Sequence, residues 1–176
     1  MSGIDRFRNR KTPSSSSFEP SFESEKLIDY ISRKRGSEEI RIIVGQQQGR
    51  SHILIRTVRM EGSTWFPIRT ICLLAEQLES VLDGIDQAAI RYGSMANIPE
   101  EDVPVMPLLC SSSGEVHVKL DRFNGFFNIK ISKTTGSEFA VFGPSEIEPM
   151  IKALVAAYDY AQSPADEVGH SKDFDF

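Results

Sequence analysis

The sequence predicts an α+β fold built from two repeated units, each with several antiparallel strands followed by one helix. In each half, β-rich runs separated by short turn signals precede a segment with helical spacing of apolar residues. The same order of elements recurs with a period of roughly 65 to 70 residues, which is longer than the periods of solenoid repeats. We therefore expect a duplicated domain that forms either an intramolecular pseudo-dimer or a homodimer.

Composition is that of a chain with one compact core. The chain has 176 residues, of which 40% are hydrophobic, enough for one domain or two small ones that share a core. No apolar run approaches the roughly 20 residues needed to cross a bilayer, so we expect no membrane contact. The two cysteines, Cys72 and Cys110, lie in unrelated contexts, which favours a reducing, intracellular compartment (cytoplasm or nucleoid, or the nucleus in a eukaryote).

Shifts in composition divide the chain into five segments. Serine, arginine and proline enrich the N-terminus, which predicts a disordered arm, and three prolines beside clustered acids predict a central connector. The predicted segments are the arm (1–23), a short helix with the first sheet-plus-helix unit (24–93), the linker (94–104), the second sheet-plus-helix unit (105–162) and an acidic, Phe-ended tail (163–176).

The first unit is predicted to open with a short helix over residues 25–35, with Ser24 as its cap and Gly36 as its stop. A hairpin follows, because two β-rich runs flank a short loop bounded by glycines. Three strands and a helix are expected over residues 40–44, 51–60, 65–73 and 74–92. Gly93 is expected to end that helix.

The second unit repeats this order with a clearer alternation of apolar and polar residues. Asn124-Gly125 is a strong hairpin turn signal. Strands are expected over residues 105–110, 115–122, 126–132 and 138–142. Ser145 and Glu148 have the spacing of a capping box, which is expected to open the last helix.

Charge is distributed unevenly, although the net charge of −5 argues at first against a nucleic-acid partner. Segment 50–70 carries four arginines and one acid, and segment 115–138 also has a small excess of cations. Segments 75–92 and 166–176 each carry four acids against one cation. We therefore expect a molecule with basic sheets and with acidic helices and tail.

Alternation in the second unit assigns two faces to its central hairpin. The aliphatic face is expected to point toward a helix and consists of Val116, Val118, Leu120, Phe127, Ile129 and Ile131. The opposite face combines cations with aromatic rings, and such surfaces bind single strands because bases stack on rings while cations follow phosphates. The predicted nucleic-acid contacts there are His117, Lys119, Phe126 and Lys130, with Arg122, Phe123 and Lys133 nearby. The alternative is an ordinary solvated sheet face.

The first unit has apolar residues on both faces of its second strand, since Ile53 and Ile55 alternate with Leu54. This pattern is typical of a strand that is partly buried on both sides, at an interface between units or subunits. The predicted nucleic-acid contacts in this unit are Arg56, Arg59, Trp65 and Arg69. Burial of Trp65 in the core is the alternative for that residue.

A family resemblance rests on three short segments: Ile53-Leu54-Ile55-Arg56, Ile71-Cys72-Leu73-Leu74-Ala75-Glu76-Gln77-Leu78 and Gly84-Ile85-Asp86-Gln87-Ala88. Over about 40 residues they resemble the transcriptional coactivator positive cofactor four family. The resemblance implies curved antiparallel sheets that bind single-stranded DNA, usually in a dimer, with Arg56 as a cation that contacts DNA. The lysine-rich loop of that family is replaced here by Glu61-Gly62-Ser63.

The duplicated layout is similar to that of the purine-rich-element-binding and Whirly proteins, which also bind single strands. The C-terminal tail resembles the acidic, Phe-terminated tails of bacterial and phage single-stranded DNA-binding proteins, which recruit replication partners and compete with DNA. Its predicted partner-binding residues are Asp173, Phe174, Asp175 and Phe176. The alternative for the tail is an unstructured chain end.

No motif in the sequence indicates catalysis. The three histidines lack metal-ligand spacing, and no phosphate-binding glycine loop or nucleophile elbow occurs. We expect neither an enzyme nor a cofactor nor a metal site. The expected function is single-stranded DNA binding in replication, recombination or transcription by a homo-oligomer. RNA binding and a protein-assembly role remain the alternatives.

Overall fold

The computed structural model describes residues 21–162, which form two four-stranded antiparallel sheets, each followed by a helix. This confirms the predicted α+β fold with two repeated units. The first unit contains β1 (Ser24–Arg33), β2 (Glu38–Gln47), β3 (Arg50–Glu61), β4 (Thr64–Leu74) and α1 (Leu78–Met95). The second contains β5 (Leu108–Ser113), β6 (Val116–Phe123), β7 (Phe126–Lys133), β8 (Phe139–Phe142) and α2 (Ile147–Gln162).

Both sheets are simple meanders in which each strand pairs with the next along the chain. The hairpin between β2 and β3 turns over Gln48 and Gly49, and the one between β6 and β7 turns over Asn124 and Gly125. All four turn residues have positive φ, as a two-residue turn that matches the strand twist requires. The two predicted hairpins are thus confirmed, and that between β2 and β3 is tighter than its glycine spacing indicated.

Alternation along β6 and β7 decides which side of the second sheet is buried. The predicted aliphatic face is confirmed, because five of its six residues are at most 1% exposed and Phe127 is partly buried against them. In the first sheet, Ile53, Leu54 and Ile55 are all fully buried, so β3 is buried on both sides, as its sequence predicts.

The two helices are exchanged between the sheets. α1 of the first unit packs on β5, β6 and β7 of the second, whereas α2 packs on β1, β2 and β3 of the first. Each helix thus covers the sheet of the other unit and not that of its own. One hydrophobic core contains residues from both sheets and both helices, so the two units are interlocked.

The first predicted element, a helix over residues 25–35, is wrong, because this segment forms the edge strand β1. β1 pairs with β2 from Ser24 to Arg33, and a bulge interrupts the register between Leu27 and Asp29. The bulge lets Ile28 and Ile31 both contact the core. Their three-residue spacing resembles that of a helix but here results from an irregular strand.

The predicted N-terminal arm lies outside the described residues, except for residues 21–23. These precede β1 and lie beside the end of β2. The Glu23 backbone amide donates to the Gln46 carbonyl at 2.8 Å, and the Phe22 ring lies edge-on to His52 at 5.4 Å. Phe22 also lies directly over Gly45, where an added Cβ would come within 2.7 Å of that ring. These three residues therefore belong to the first unit and not to the arm.

Three element boundaries also differ from the prediction. Gly93 lies inside α1, which continues to Met95, and β5 begins at Leu108 instead of residue 105. α2 starts after a 3₁₀ turn in which the Glu146 carboxylate accepts the Gly143 amide at 2.9 Å, so Glu146 takes the capping role expected of Glu148. Neither helix of residues 21–162 is long and apolar enough to cross a membrane.

Candidate nucleic-acid interface

The second sheet has an outer face, opposite its buried aliphatic residues. On β6 and β7 this face consists of His117, Lys119, Asp121, Phe123, Phe126, Asn128 and Lys130, which alternate with buried neighbours. Register places six of them in three directly opposed pairs and His117 opposite Ser132, because the strands are antiparallel and joined by a two-residue turn. Five of the predicted contacts therefore share one surface: His117, Lys119, Phe123, Phe126 and Lys130.

Lys119 and Lys130 are directly opposite each other in the register. Side chains in such pairs lie about 5 Å apart at Cβ, and two like charges at that separation destabilise a sheet. No carboxylate of residues 21–162 forms an ion pair with either ammonium group. The Lys130 ammonium lies over the Phe139 ring, 4.7 Å from its centroid. The sheet thus carries a concentrated positive charge that its own acids leave uncompensated.

Phe123 and Phe126 form the last pair of the same hairpin, on either side of the turn. Their exposures of 70% and 75% are high for such large apolar side chains. Adjacent exposed rings at the end of a basic face can act as stacking surfaces for unpaired bases. The Asn124-Gly125 turn positions them, since it holds the two strand ends at hydrogen-bonding distance.

Phe139 extends the outer face toward the first unit, where its ring contacts Arg69. Phe139 on β8 lies opposite Ser132 of β7 and is in phase with Lys130. The Arg69 guanidinium, which comes from β4 of the first sheet, is centred 5.1 Å from the same ring. Arg69 is in phase with buried Ile71, on the core side of its own sheet, and yet contacts the same ring as Lys130, 61 residues away in the sequence. Phe139 was not predicted as a contact, and only its alternation with buried Ala140 and Phe142 could have indicated it.

Two other polar groups modify this face. The His117 ring lies 3.0 Å from the Thr134 hydroxyl, so the start of β6 is connected to the turn that follows β7. Asp121 is the one acid of the hairpin on this side, and its carboxylate accepts the Arg122 backbone amide at 2.8 Å. This hydrogen bond directs Asp121 to its own backbone, and the two opposed lysines remain without an acidic partner.

Arg122 and Lys133 were predicted near the open face, and this placement is wrong. Both are in phase with the buried residues of their strands. Arg122 lies over the Phe127 ring at 5.2 Å and 3.8 Å from a Glu100 carboxylate oxygen. Lys133 forms ion pairs with Glu115 and Glu138, and its side chain is only 14% exposed. They stabilise the contacts between elements and are not available to a ligand on the outer face.

The first sheet has an equivalent row of cations on the side away from the core. Arg41 and Arg56 are directly opposed on β2 and β3, the strands that correspond to β6 and β7. Here acids compensate the charge, because Arg56 pairs with Glu25 at 3.1 Å and Arg41 with Glu39 at 2.9 Å. Arg41 also lies over the half-buried ring of Trp65, 5.1 Å from its centroid. Arg56 and Trp65 thus lie on one face, as predicted, in a setting already neutralised.

Arg41 and Tyr30 belong to this row and were missed. Tyr30 lies opposite Arg41 on the edge strand and is 53% exposed. The alternation of Arg41 with two isoleucines could have placed it, whereas the helical interpretation of residues 25–35 concealed Tyr30. The second sheet has the matching order, with exposed Leu109 opposite Lys119. The two units therefore repeat a row with an apolar edge residue followed by two opposed cations.

Arg59 does not join this row. It lies opposite Glu38, whose side chain is nearly buried and is also approached by Arg33 and Lys34. The three cation-to-oxygen distances are 3.5 to 3.6 Å. A buried carboxylate needs such partners to stay charged, so the role of Arg59 is to compensate Glu38.

Burial shifts the pKa of Cys72 and of His52 among the described residues. Burial raises the pKa of the Cys72 thiol to about 11, so this thiol is protonated and poorly nucleophilic at neutral pH. Burial, with Arg50 and Lys133 nearby, lowers the pKa of His52. No group of three or more metal-ligating side chains is present in the described part of the chain.

The predicted tail residues Asp173 to Phe176 lie outside the described residues. No family model matches the chain, and no curated protein matches it either.

Proposed function

We propose that this protein is a non-catalytic, intracellular single-stranded DNA-binding protein that uses the outer face of its second sheet. The observation that carries the proposal is the opposed pair Lys119 and Lys130, which no carboxylate in residues 21–162 compensates. Two like charges in register cost stability, so their retention is best explained by an anionic ligand that offsets the repulsion.

The neighbours of this pair favour a single strand over other polyanions. Phe123 and Phe126 are exposed on the same side, four residue pairs further along the hairpin, or roughly 13 Å along the strands. Phosphates can contact the lysines while bases stack on the rings, and each stacked base contributes about 1–3 kcal/mol. Paired bases inside a duplex do not offer their faces to such rings.

The resemblance to the positive cofactor four, purine-rich-element-binding and Whirly families supports the same function, as does the acidic, Phe-ended tail. On this proposal the protein acts in replication, recombination or transcription, as a homo-oligomer, and the tail residues Asp173 to Phe176 recruit a protein partner. RNA is the alternative ligand, since a face that uses stacking and phosphate contacts does not discriminate the sugar.

A second candidate function, protein assembly, is favoured by the first sheet. On its outer side Ile43 and Leu54 are 5% and 0% exposed, and the arginines there are paired with acids. A face whose cations are already paired with acids suits a protein contact better than a polyanion. In that case the first sheet serves assembly, and the second serves nucleic acid.

The test is the fluorescence anisotropy of a labelled, mixed-sequence single strand, titrated with the full chain at low and moderate salt. We expect salt-sensitive binding that weakens at least tenfold in the Lys119→Ala/Lys130→Ala variant. The matched control is Lys26→Ala/Lys152→Ala, which removes two exposed lysines that do not lie on the second sheet. Absence of binding to both DNA and RNA strands at low salt would reject the proposal and leave assembly as the function.

A further inference from the structure

Phe139 holds two cations from different units on one ring. The Lys130 ammonium lies 4.7 Å from the ring centroid, and the Arg69 guanidinium carbon lies 5.1 Å from it. Lys130 belongs to the second sheet and Arg69 to the first, so this arrangement exists only because β4 and β8 are adjacent. A cation over an aromatic face is attracted by the negative face of the ring, which helps to hold both cations at Phe139.

The nearest acid is engaged elsewhere. Glu138 precedes Phe139, but one of its carboxylate oxygens accepts the Cys72 backbone amide at 3.1 Å, and the other lies 3.4 Å from the Lys133 ammonium. Neither Arg69 nor Lys130 has a carboxylate partner within residues 21–162. Two cations that share one aromatic ring and have no carboxylate partner form a position suited to an anion.

We propose that Arg69 and Lys130, positioned by Phe139, form a composite phosphate-binding position that joins the two units into one site. This inference rests on the proposed function, and the ligand group is a phosphodiester of the bound single strand. Arg69 offers a fork of donors and Lys130 a point charge, and both kinds of group donate to phosphate oxygens. Phe139 acts as a positioning residue, through the two cations.

The position of this site determines the direction of the bound strand. Lys119, Lys130 and Arg69 follow one another across β6, β7, β8 and β4 rather than along one strand. Neighbouring strands are about 4.8 Å apart, so the row of three cations spans the second sheet toward the first unit. The nucleic-acid backbone therefore crosses the strands and continues onto the first unit, with Phe123 and Phe126 to one side.

The decisive measurement is the salt dependence of oligonucleotide binding by the full chain. In Arg69→Gln the slope of log K against log salt should fall by about 0.7, the value for one lost phosphate contact with a single strand. Arg69→Lys keeps the charge and should keep the slope. Lys152→Gln, an exposed lysine of α2, loses the same charge elsewhere and should leave the slope unchanged.

Phe139→Leu tests the positioning role, since it removes the ring but keeps an apolar side chain. We expect weaker binding, and we expect the double variant with Arg69→Gln to lose less than the product of the two single losses. Independent, multiplicative losses would overturn the role of Phe139. Thermal unfolding of each variant reports whether the fold is intact.

Backbone amide shifts of the unaltered protein give a second readout that needs no substitution. Titration with a five-nucleotide single strand should move the amides of Arg69, Lys130 and Phe139 together. If the protein binds and Lys119→Ala/Lys130→Ala weakens it, but Arg69→Gln behaves like Lys152→Gln and its amide does not shift, the composite position is wrong and the proposed function stands. If the unaltered protein binds no single strand, the proposed function and this inference both fail.

Discussion

At the scale of single residues, stability and binding oppose each other at Lys119. This side chain lies opposite Lys130 without an acidic neighbour, whereas the equivalent arginines of the first sheet are paired with Glu39 and Glu25. The same backbone position therefore has two electrostatic settings in the two units. The first pairs its cations with acids, and the second leaves two like charges opposed, which the proposed function explains by a ligand.

Lys119→Gln should raise the free energy of unfolding while it weakens single-strand binding. Removal of one of two opposed like charges is worth about 0.2–1 kcal/mol in a sheet. Urea denaturation at low ionic strength measures the gain, which should shrink in high salt because exposed charges are screened. Arg56→Gln is the contrasting variant, and it should lower stability because it breaks the pair with Glu25. A loss of stability in Lys119→Gln would show that the two lysines do not repel each other appreciably.

The face of the sheet on which a side chain lies also explains which of the proposed nucleic-acid contacts could be predicted. Lys119, Lys130 and Phe126 alternate with aliphatic residues, so the sequence places them on the outer face. Arg122 and Lys133 have the opposite phase, and their proximity in sequence to that face was misleading. Arg69 is beside Lys130 only through the contact of β4 with β8, which no local pattern contains.

At the scale of elements, α1 fits the second sheet through Gly84. A Cβ at this position would collide with the Ser111 side chain and come within 2.7 Å of the Val118 Cβ. Ser111 also donates a hydrogen bond to the Ser80 carbonyl of the helix at 2.9 Å. The absent side chain thus permits close contact between α1 and β5, which is why a glycine occurs in the middle of a helix.

Gly84→Ala should destabilise the protein by about 1–3 kcal/mol, because the overpacked contact outweighs the gain in helix propensity. Gly93→Ala in the same helix is the matched control. Its added Cβ meets nothing within 4 Å, so it should stabilise by up to about 1 kcal/mol. Chemical denaturation of both variants measures the difference. Stabilisation by both substitutions would contradict the close contact.

The edge strand β1 shows how an element can escape prediction. Its apolar residues have the spacing of a helix because a bulge places Ile28 and Ile31 on the same side. This segment is a strand because it pairs with β2, and a pattern read over residues 25–35 alone does not include that partner. The central strands carried their own signal, since alternation and turn residues agreed.

At the scale of the whole molecule, the exchange of helices makes each unit depend on the other. α1 covers the second sheet and α2 covers the first. The aliphatic residues of both sheets and both helices form one core. A sheet without its exchanged helix would expose that aliphatic face to water. The two units should therefore unfold in one cooperative transition, as a single domain does.

A protease site inserted in the connector, between residues 96 and 107, tests this dependence. After cleavage we expect the two fragments to stay associated and to elute together in size-exclusion chromatography, since each helix remains packed on the other fragment's sheet. Denaturant should separate them in the same transition that unfolds them. Two fragments that elute apart, each with native circular dichroism, would contradict the interlocked arrangement.

The sequence by itself determined the class of fold, the two hairpins, and the outer face of β6 and β7. These depend on alternation and turn chemistry, which act over a few residues and are therefore visible in a linear pattern. Only the tertiary structure decided that the helices are exchanged, that residues 25–35 form a strand, and that Arg69 reaches Phe139 beside Lys130. Each of these results from contacts between segments far apart in the chain, where pairing and burial outweigh local preference.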